Sequence, residues 1–326
     1  VLGTGRISES FVPDLQQAEP GSVTSVWGRT TEKAGSFAER HGLAHSSADL
    51  DEVLGRGDVD AVYVGTPVAT HAPLAIRALE AGKHVLVEKP FAFSAEEGRA
   101  VFEAAHVNDR FAMEAMWMKF NPLHVELRER ILAGLIGEPR SVRGGFGMPF
   151  PAGGSRWSAA LGGSTVLDQG IYPITLAEWM LGPVQHVTAT GSVLDGVDVA
   201  AQISLDHGDG RVSQSACSVL EFCDPSAAIS GTAGWVEIPA MFWAGDVAEL
   251  HAGSPEALFR TPERLVRERE GNGYVPMIRA VTEAIGRGLR EHPSHDAAAT
   301  IATAITMDEV RGQIHDRGVA AGRSSE

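Results

Sequence analysis

Three places in this chain of 326 residues put reactive side chains where packing alone has no use for them. The first is Glu88-Lys89-Pro90, which ends the apolar run His84-Val85-Leu86-Val87 and precedes Ser94-Ala95-Glu96-Glu97, the pattern of a capping box that opens a helix. A buried strand and a helix start need neither an adjacent acid and base nor the proline. An ammonium at a strand's carboxyl end can polarise the hydroxyl or carbonyl oxygen of a bound molecule, and Pro90 restricts Lys89 to extended geometry and so aims it. The second place is Gly3-Thr4-Gly5-Arg6-Ile7-Ser8, the shape of a dinucleotide fingerprint with Ser8 as its third small residue. Its first glycine makes a tight turn, its second lets backbone approach a pyrophosphate, and the following helix N-terminus carries the anion. The third is Asp168 with Tyr172, four residues apart and therefore on one helix face. Taken alone, that pair reads as a cap or first-turn acid and a half-buried packing aromatic.

Two further positions bear on the nucleotide. The second expected strand ends Val26-Trp27-Gly28-Arg29-Thr30-Thr31, where an NAD-preferring site would place Asp or Glu for the ribose hydroxyls. Arg29 stands there instead, with Lys33 nearby, and a guanidinium suits a 2′-phosphate; the expected cofactor is NADP, with NAD as the alternative. Gly65-Thr66-Pro67 follows another strand, with His71 opening the next helix. Turn chemistry explains Thr66 and Pro67 nearly as well as ligand binding does.

These residues must be positioned by an alternating framework. Short apolar strands at Val23–Gly28, Ala61–Val64, His84–Val87 and Phe111–Ala115 are separated by helices at Ser8–Ala18, Thr31–His41, Thr70–Ala81 and Ser94–Val107, with a short helix near Leu50–Leu54. Alternation of this kind predicts a doubly wound parallel sheet, covered on both faces. After Trp117 the rhythm changes. Helices at Pro122–Gly134 and Thr165–Leu181 flank a strand at Arg140–Gly147 and a Gly/Pro-rich loop. Strand-like segments then run through Val184–Val193, Val197–Leu205, Arg211–Leu220, Ala227–Ser230 and Trp235–Ile238, and the chain closes with helices at Val275–Arg290 and Asp296–His315. The expectation is an α/β protein: an N-terminal Rossmann domain over residues 1–118, then an α+β domain over residues 119–326 with a large open, mainly antiparallel sheet. Residues 240–272 have no legible element.

The formal net charge of −15 gives no electrostatic reason to bind nucleic acid or an anionic membrane, and no Lys/Arg run overrides it. Cys217 and Cys223 read as reduced thiols on one strand, too far apart to bridge, in a cytoplasmic protein. No Cys pairs stand at zinc-ligand spacing, so no metal is expected, and no segment reads as a signal peptide or a membrane span. Val1-Leu2-Gly3 opens as though partway through a strand, so residues upstream of Val1 are expected.

Gly3-Thr4-Gly5-Arg6-Ile7, Gly65-Thr66-Pro67 with His71, "ALEAGKHVLVEKP" (78–90), "MEAMW" (113–117) and "GGSTVLDQGIYPITLAEWMLG" (162–182) together resemble the glucose–fructose oxidoreductase / inositol dehydrogenase (Gfo/Idh/MocA) family over nearly the whole chain. The resemblance implies hydride transfer between nicotinamide C4 and a carbon of a sugar, polyol or trans-diol. It implies Lys89 as the residue that orients and polarises the reacting oxygen, and Tyr172, where relatives carry His or Tyr, as proton donor and acceptor. Asp168 would position the substrate or the Tyr172 helix. Glu88, Lys89 and Trp117 would join Gly3 to Ile7, Arg29, Thr66, Pro67 and His71 around the cofactor. A phenol titrates near pH ~10, and a Lys89 ammonium nearby would favour its ionised form. Tyr172 and "MEAMW" bring the chain nearest the dihydrodiol dehydrogenase / aldose 1-dehydrogenase branch, which commonly uses NADP. That branch often has Arg where this chain has Lys119, which puts substrate transfer from any one relative in doubt; Arg156 and Trp157 are candidate pocket-lining residues. A homo-oligomer, dimer or tetramer, formed through the C-terminal sheet is also implied. Two other classes compete: a nicotinamide-dependent glycosidase with no net redox, and a catalytically silent dinucleotide-binding protein. Intact Lys89 and Tyr172 weigh against the second.

Overall fold

The computed structural model describes residues 1–323. In chain order its regular elements begin with α1 (Arg6–Ala18), β1 (Ser25–Trp27), α2 (Thr31–His41), β2 (His45–Ser47), α3 (Leu50–Leu54), β3 (Ala61–Val64), α4 (His71–Glu80), β4 (His84–Val87), α5 (Ala95–Val107) and β5 (Ala112–Glu114). There follow α6 (Pro122–Leu132), β6 (Pro139–Gly147), α7 (Ile171–Leu181), β7 (His186–Leu194), β8 (Val197–Asp206), β9 (Val212–Ser218), β10 (Ala227–Gly231) and β11 (Gly234–Ile238). The last are β12 (Val247–Ala252), α8 (Pro255–Leu258), β13 (Glu263–Val266), α9 (Val275–Gly286) and α10 (Ala297–Arg323).

Two compact units result: residues Val1–Asn121 with Glu270–Ile301, and residues Pro122–Arg269 with the chain from Ala302 on. The expected boundary after residue 118 lies three residues before the first break. The second unit, however, does not keep all of the chain beyond that break, because residues 270–301 return to the first. The cause is Asp14, buried on α1, which accepts the backbone N–H of Asn272 (2.8 Å) and of Tyr274 (2.9 Å). A buried carboxylate needs such donors, and satisfying this one docks α9 on α1.

In the first unit Leu2 is the tail of the central strand. It bridges Trp27 at the end of β1 on one side and Val64 at the end of β3 on the other, both parallel. With β1 paired to β2, and β3 to β4 to β5, the strands run β2-β1-Leu2-β3-β4-β5, all parallel. Chain order reverses on either side of Leu2, and a doubly wound sheet binds its ligand at the strand carboxyl ends at such a point. One face is covered by α4 and α5, whose Ala75, Ala78, Leu79 and Val101 pack on Val62, Val64, Val85 and Val87; the other holds Val12, Val26 and Phe37. The helix ends follow local chemistry: Thr30 accepts the Lys33 N–H at the start of α2, and Gly42 closes it at φ +67°.

The second unit is an eight-stranded sheet in the order β13-β12-β11-β10-β6-β9-β8-β7. Every pairing is antiparallel except β6 with β9. In the first half of β7, the second half of β8 and the first part of β9 buried residues alternate with exposed ones, so one face meets the core there and the other is open. Residues 240–272, illegible in the sequence, supply β12, α8 and β13 at one edge. Cys217 is buried in β9, but Cys223 lies beyond that strand, in an isolated antiparallel bridge to Gly147 rather than farther along it; both are free. Among the described residues no helix is long and apolar enough to cross a membrane.

Candidate active site

The first unit carries its candidate residues at the carboxyl ends of Leu2, β1, β3 and β4. At Gly3 the chain turns with φ +112°, and a Cβ there would stand 2.7 Å from the Gly65 carbonyl oxygen, so only glycine fits. A Cβ on Gly65 would stand 2.7 Å from both Ser8 Oγ and the Tyr63 ring. The fingerprint's third small residue and the Gly65 turn are thus one packed junction. α1 then starts at Arg6 with Gly5 as N-cap and no side-chain cap, whereas side chains of Thr30, Asp49 and Ser94 cap α2, α3 and α5. The leading N–H groups of α1 are left for an anion beside a side-chain-free approach. Those features fit a dinucleotide pyrophosphate, with Thr4, Arg6 and Ile7 at its edge. Arg29 is exposed just past β1, and among the described residues no carboxylate pairs with it.

β4 lies between β3 and β5, with Val87 opposite Val64 and Glu114, so Glu88-Lys89-Pro90 emerges at the edge that carries Gly65-Thr66-Pro67. Glu88 is buried and its Oε2 accepts the Tyr63 hydroxyl at 2.7 Å, while Lys89 is half-exposed and the Lys89–Pro90 peptide is cis. His71 departs from expectation. Rather than reaching for a cofactor, its ring is buried, with Nδ1 2.8 Å from the Pro90 carbonyl oxygen and Nε2 2.8 Å from that of Thr66. Burial, aided by Lys89, lowers the pKa of this imidazole, and the two carbonyls oppose the drop. Trp117 is also a packing position, buried with its ring 5.2 Å from that of Tyr274.

A buried polar chain in this unit had no signal in the sequence. Lys119 donates to His295 Nδ1 (3.2 Å), which leaves the proton on Nε2 to be donated to Glu114 Oε2 (2.7 Å); the other oxygen, Glu114 Oε1, accepts the Phe91 N–H (2.8 Å). Burial lowers the His295 pKa, which favours the neutral ring this chain needs. Glu114 lies inside "MEAMW", so its position was visible and its task was not; His295 is 181 residues away from it.

In the second unit Asp168 and Tyr172 fall on the expected helix, but its opening is wider than a plain α-turn. Val166–Gly170 is a π-helical turn, and α7 begins only at Ile171. Asp168 pairs with Arg156 Nε, and that guanidinium lies 4.2 Å over the Phe150 ring, so the loop cation expected to line the pocket does join the candidate acid. Trp157 instead packs beside Val197, Val199 and Val219. Tyr172 is buried beside the stacked pair of Phe146 and Trp243, whose rings lie 6.1 Å and 5.7 Å from its own. The π-turn is anchored by Asp198, a buried β8 residue that the sequence did not single out. Its Oδ2 accepts from Val166 N–H and Ser164 Oγ, both at 2.9 Å. Burial raises the Asp198 pKa, and these donors and Arg311 oppose the rise.

Comparison with known proteins places these observations in a context. A family profile described as "Oxidoreductase family, NAD-binding Rossmann fold" matches residues 1–115, and the "GFO/IDH/MocA C-terminal domain" matches residues 124–237. A trans-1,2-dihydrobenzene-1,2-diol dehydrogenase from Xenopus laevis is 29% identical over 96% of this chain and 97% of its own. A dTDP-3,4-didehydro-2,6-dideoxy-alpha-D-glucose 3-reductase from Streptomyces violaceoruber is 33% identical over 97% of this chain and 85% of its own. Among solved structures, the 3-ketoreductase KijD10 from Actinomadura kijaniata, in complex with NADP and TDP-benzene, superposes with a TM-score of 0.83 at 28% identity, covering 96% of each chain. An aldose-aldose oxidoreductase from Caulobacter crescentus, complexed with glycerol, gives a TM-score of 0.85 at 25% identity over 97% of this chain and 96% of that one.

Proposed function

The chain belongs to the Gfo/Idh/MocA oxidoreductase family, and from that premise we propose that it is an NADP-dependent dehydrogenase acting on a CH–OH group of a sugar, polyol or trans-diol, or reducing the matching carbonyl. The observation that carries this reading is the shared carboxyl edge of the parallel sheet. The uncapped start of α1 and the Gly3–Gly65 junction stand there, and the ammonium of Lys89 issues from the same edge.

The bound nicotinamide supplies the hydride acceptor or donor. Lys89 donates a hydrogen bond to the reacting oxygen and offsets the negative charge that grows there during transfer. Tyr172, in its phenolate form, takes the hydroxyl proton in oxidation, and the phenol returns it in reduction. Asp168, held by Arg156, orders the turn that leads into the tyrosine helix. Arg29 receives the 2′-phosphate, which favours NADP over NAD. The relatives named above act on diols, a nucleotide-linked deoxysugar and aldoses, which sets the range of substrates to try. We further propose assembly into a dimer or tetramer through the open face of the eight-stranded sheet.

A panel of trans-cyclohexane-1,2-diol, polyols and aldoses, followed by NADPH absorbance on protein stripped of co-purified dinucleotide, tests the activity. Reduction of NADP by a member of the panel, lost in Lys89→Ala, is the expected result. Cleavage of a nitrophenyl glycoside without net NADPH formation would replace dehydrogenation with elimination and rehydration. Light scattering on the eluting protein tests the assembly.

A further inference from the structure

Lys89 is followed in its loop by Phe91, which is buried and stacked on Phe102 with ring centroids 4.5 Å apart, and the peptide group that joins Pro90 to Phe91 is gripped from both ends. The Pro90 carbonyl lies 2.8 Å from His71 Nδ1, and the N–H of the same peptide unit, that of Phe91, is donated to Glu114 Oε1 at 2.8 Å. Both partners are buried. His71 Nε2 in turn lies 2.8 Å from the Thr66 carbonyl oxygen of the neighbouring loop, and Glu114 sits on β5 directly opposite Val87, the last residue of the strand that launches Lys89. Behind Glu114, His295 and Lys119 continue the chain, with Thr300 Oγ1 3.3 Å from His295 Nε2. Lys119 and Glu114 carry opposite charges through a neutral imidazole, so the chain is balanced without bulk water, and balance is what lets a carboxylate and an ammonium remain buried. Such an arrangement is a costly way to satisfy one amide N–H, which a water or a hydroxyl could do. It is an effective way to stop a loop from rotating.

We propose that His71 and Glu114 are positioning residues for Lys89: together they hold the Pro90–Phe91 peptide group by its carbonyl and its N–H, and His295 with Lys119 fixes the carboxylate that does half of the holding. The proposal rests on the reading of Lys89 as a catalytic residue, and its test separates the two. Backbone rotation at Pro90–Phe91 swings the Lys89 ammonium without touching the dinucleotide turn at Gly3. The chemical step therefore depends on Glu114 and His71, and cofactor affinity does not.

The experiment compares Glu114→Ala, Glu114→Gln and His71→Ala with the parent in the full chain. Three quantities are read: hydrogen exchange at the Phe91 amide, NADPH affinity by fluorescence, and kcat with NADP and trans-cyclohexane-1,2-diol as probe. Glu114→Ala is expected to raise Phe91 exchange at least about tenfold and to lower kcat by up to about a hundredfold, the scale of an ångström of misplacement, with NADPH affinity within about twofold. Glu114→Gln keeps an oxygen acceptor and should restore both protection and most of kcat; a purely structural role would leave it no better than alanine. Should Glu114→Ala fail to fold, His71→Ala, which frees the other end of the same peptide, must show the same split between kcat and NADPH affinity. Unchanged Phe91 exchange in a folded Glu114→Ala, or equal losses in Glu114→Ala and Glu114→Gln, overturns the positioning role. If Lys89→Ala turns over the diol as the parent does, the catalytic reading of Lys89 fails instead, whatever the exchange shows.

Discussion

Asp198, on β8, accepts the Val166 N–H at 2.9 Å and so ties the first residue of the π-turn that carries Asp168 to the second strand from one edge of the eight-stranded sheet. The same oxygen takes the Ser164 hydroxyl, which itself accepts the Leu167 N–H at 3.1 Å. Asp198→Ala leaves buried donors unpaired and should cost about 1–3 kcal/mol in urea unfolding. Asp198→Asn keeps an acceptor oxygen and drops a buried charge, so it should cost less; equal losses would mean that charge, not the hydrogen bonds, anchors the turn.

Lys89→Ala and Tyr172→Phe should each lower kcat/KM by about 10²–10⁴-fold, the range for a positioned proton-transfer group, while NADPH still quenches protein fluorescence with parental affinity. Steady-state rates and a fluorescence titration on the same samples check this. A Tyr172→Phe enzyme with parental kcat would remove the proton-transfer role from that phenol.

Arg29→Ala should weaken NADPH binding by about tenfold to a hundredfold, the value of a charge-assisted contact to phosphate, and leave NADH binding within about twofold. The ratio of the two dissociation constants is the measurement. An unchanged ratio would assign cofactor choice to other residues.

Gly3→Ala must accommodate a methyl 2.7 Å from a backbone oxygen at φ +112°. Neither the oxygen nor the dihedral can give cheaply, so thermal stability should fall by about 2–3 kcal/mol and NADPH affinity should fall with it. Gly35→Ala, on α2 where a Cβ meets nothing within 4 Å, is the control and should be neutral or slightly stabilising.

His71, His124 and His295 are all buried with pKa values lowered chiefly by burial, His124 to about 4. Their unfolded-state value is higher, so below about pH 6.5 the unfolded chain takes up protons that the folded chain refuses, and stability falls as pH falls. His124 by itself should account for about 2 kcal/mol between about pH 7 and about pH 5. His124→Leu should flatten the melting temperature against pH over that interval; a parallel curve would show that its ring is not buried neutral.

Much of the first unit was legible because its signals are local. α2, α3, β3 and β4 have the ends that their caps, closing glycines and apolar runs announce, and the capping box at Ser94 forms, although Glu97 reaches back to the Phe93 N–H rather than to that of Ser94. The Gly3-to-Ser8 and Gly65 turns could be read separately. That they are one junction depends on two strands meeting side by side.

The sequence by itself determined the alternation of elements, the strand ends at which chemistry could occur, and the residue types placed there, because periodicity, caps and turn residues act over a few neighbours. Tertiary structure alone decided what those ends are fastened to. Residues 270–301 rejoin the first unit because Asp14 needs donors that only a segment some 258 residues later supplies. The His71 ring turns inward, where the carbonyls of Thr66 and Pro90 converge on it from two separate loops. Glu114 gains a partner in His295 across 181 residues. Burial makes each of these groups demand a hydrogen-bonding partner, and nothing in local sequence says which distant residue will answer.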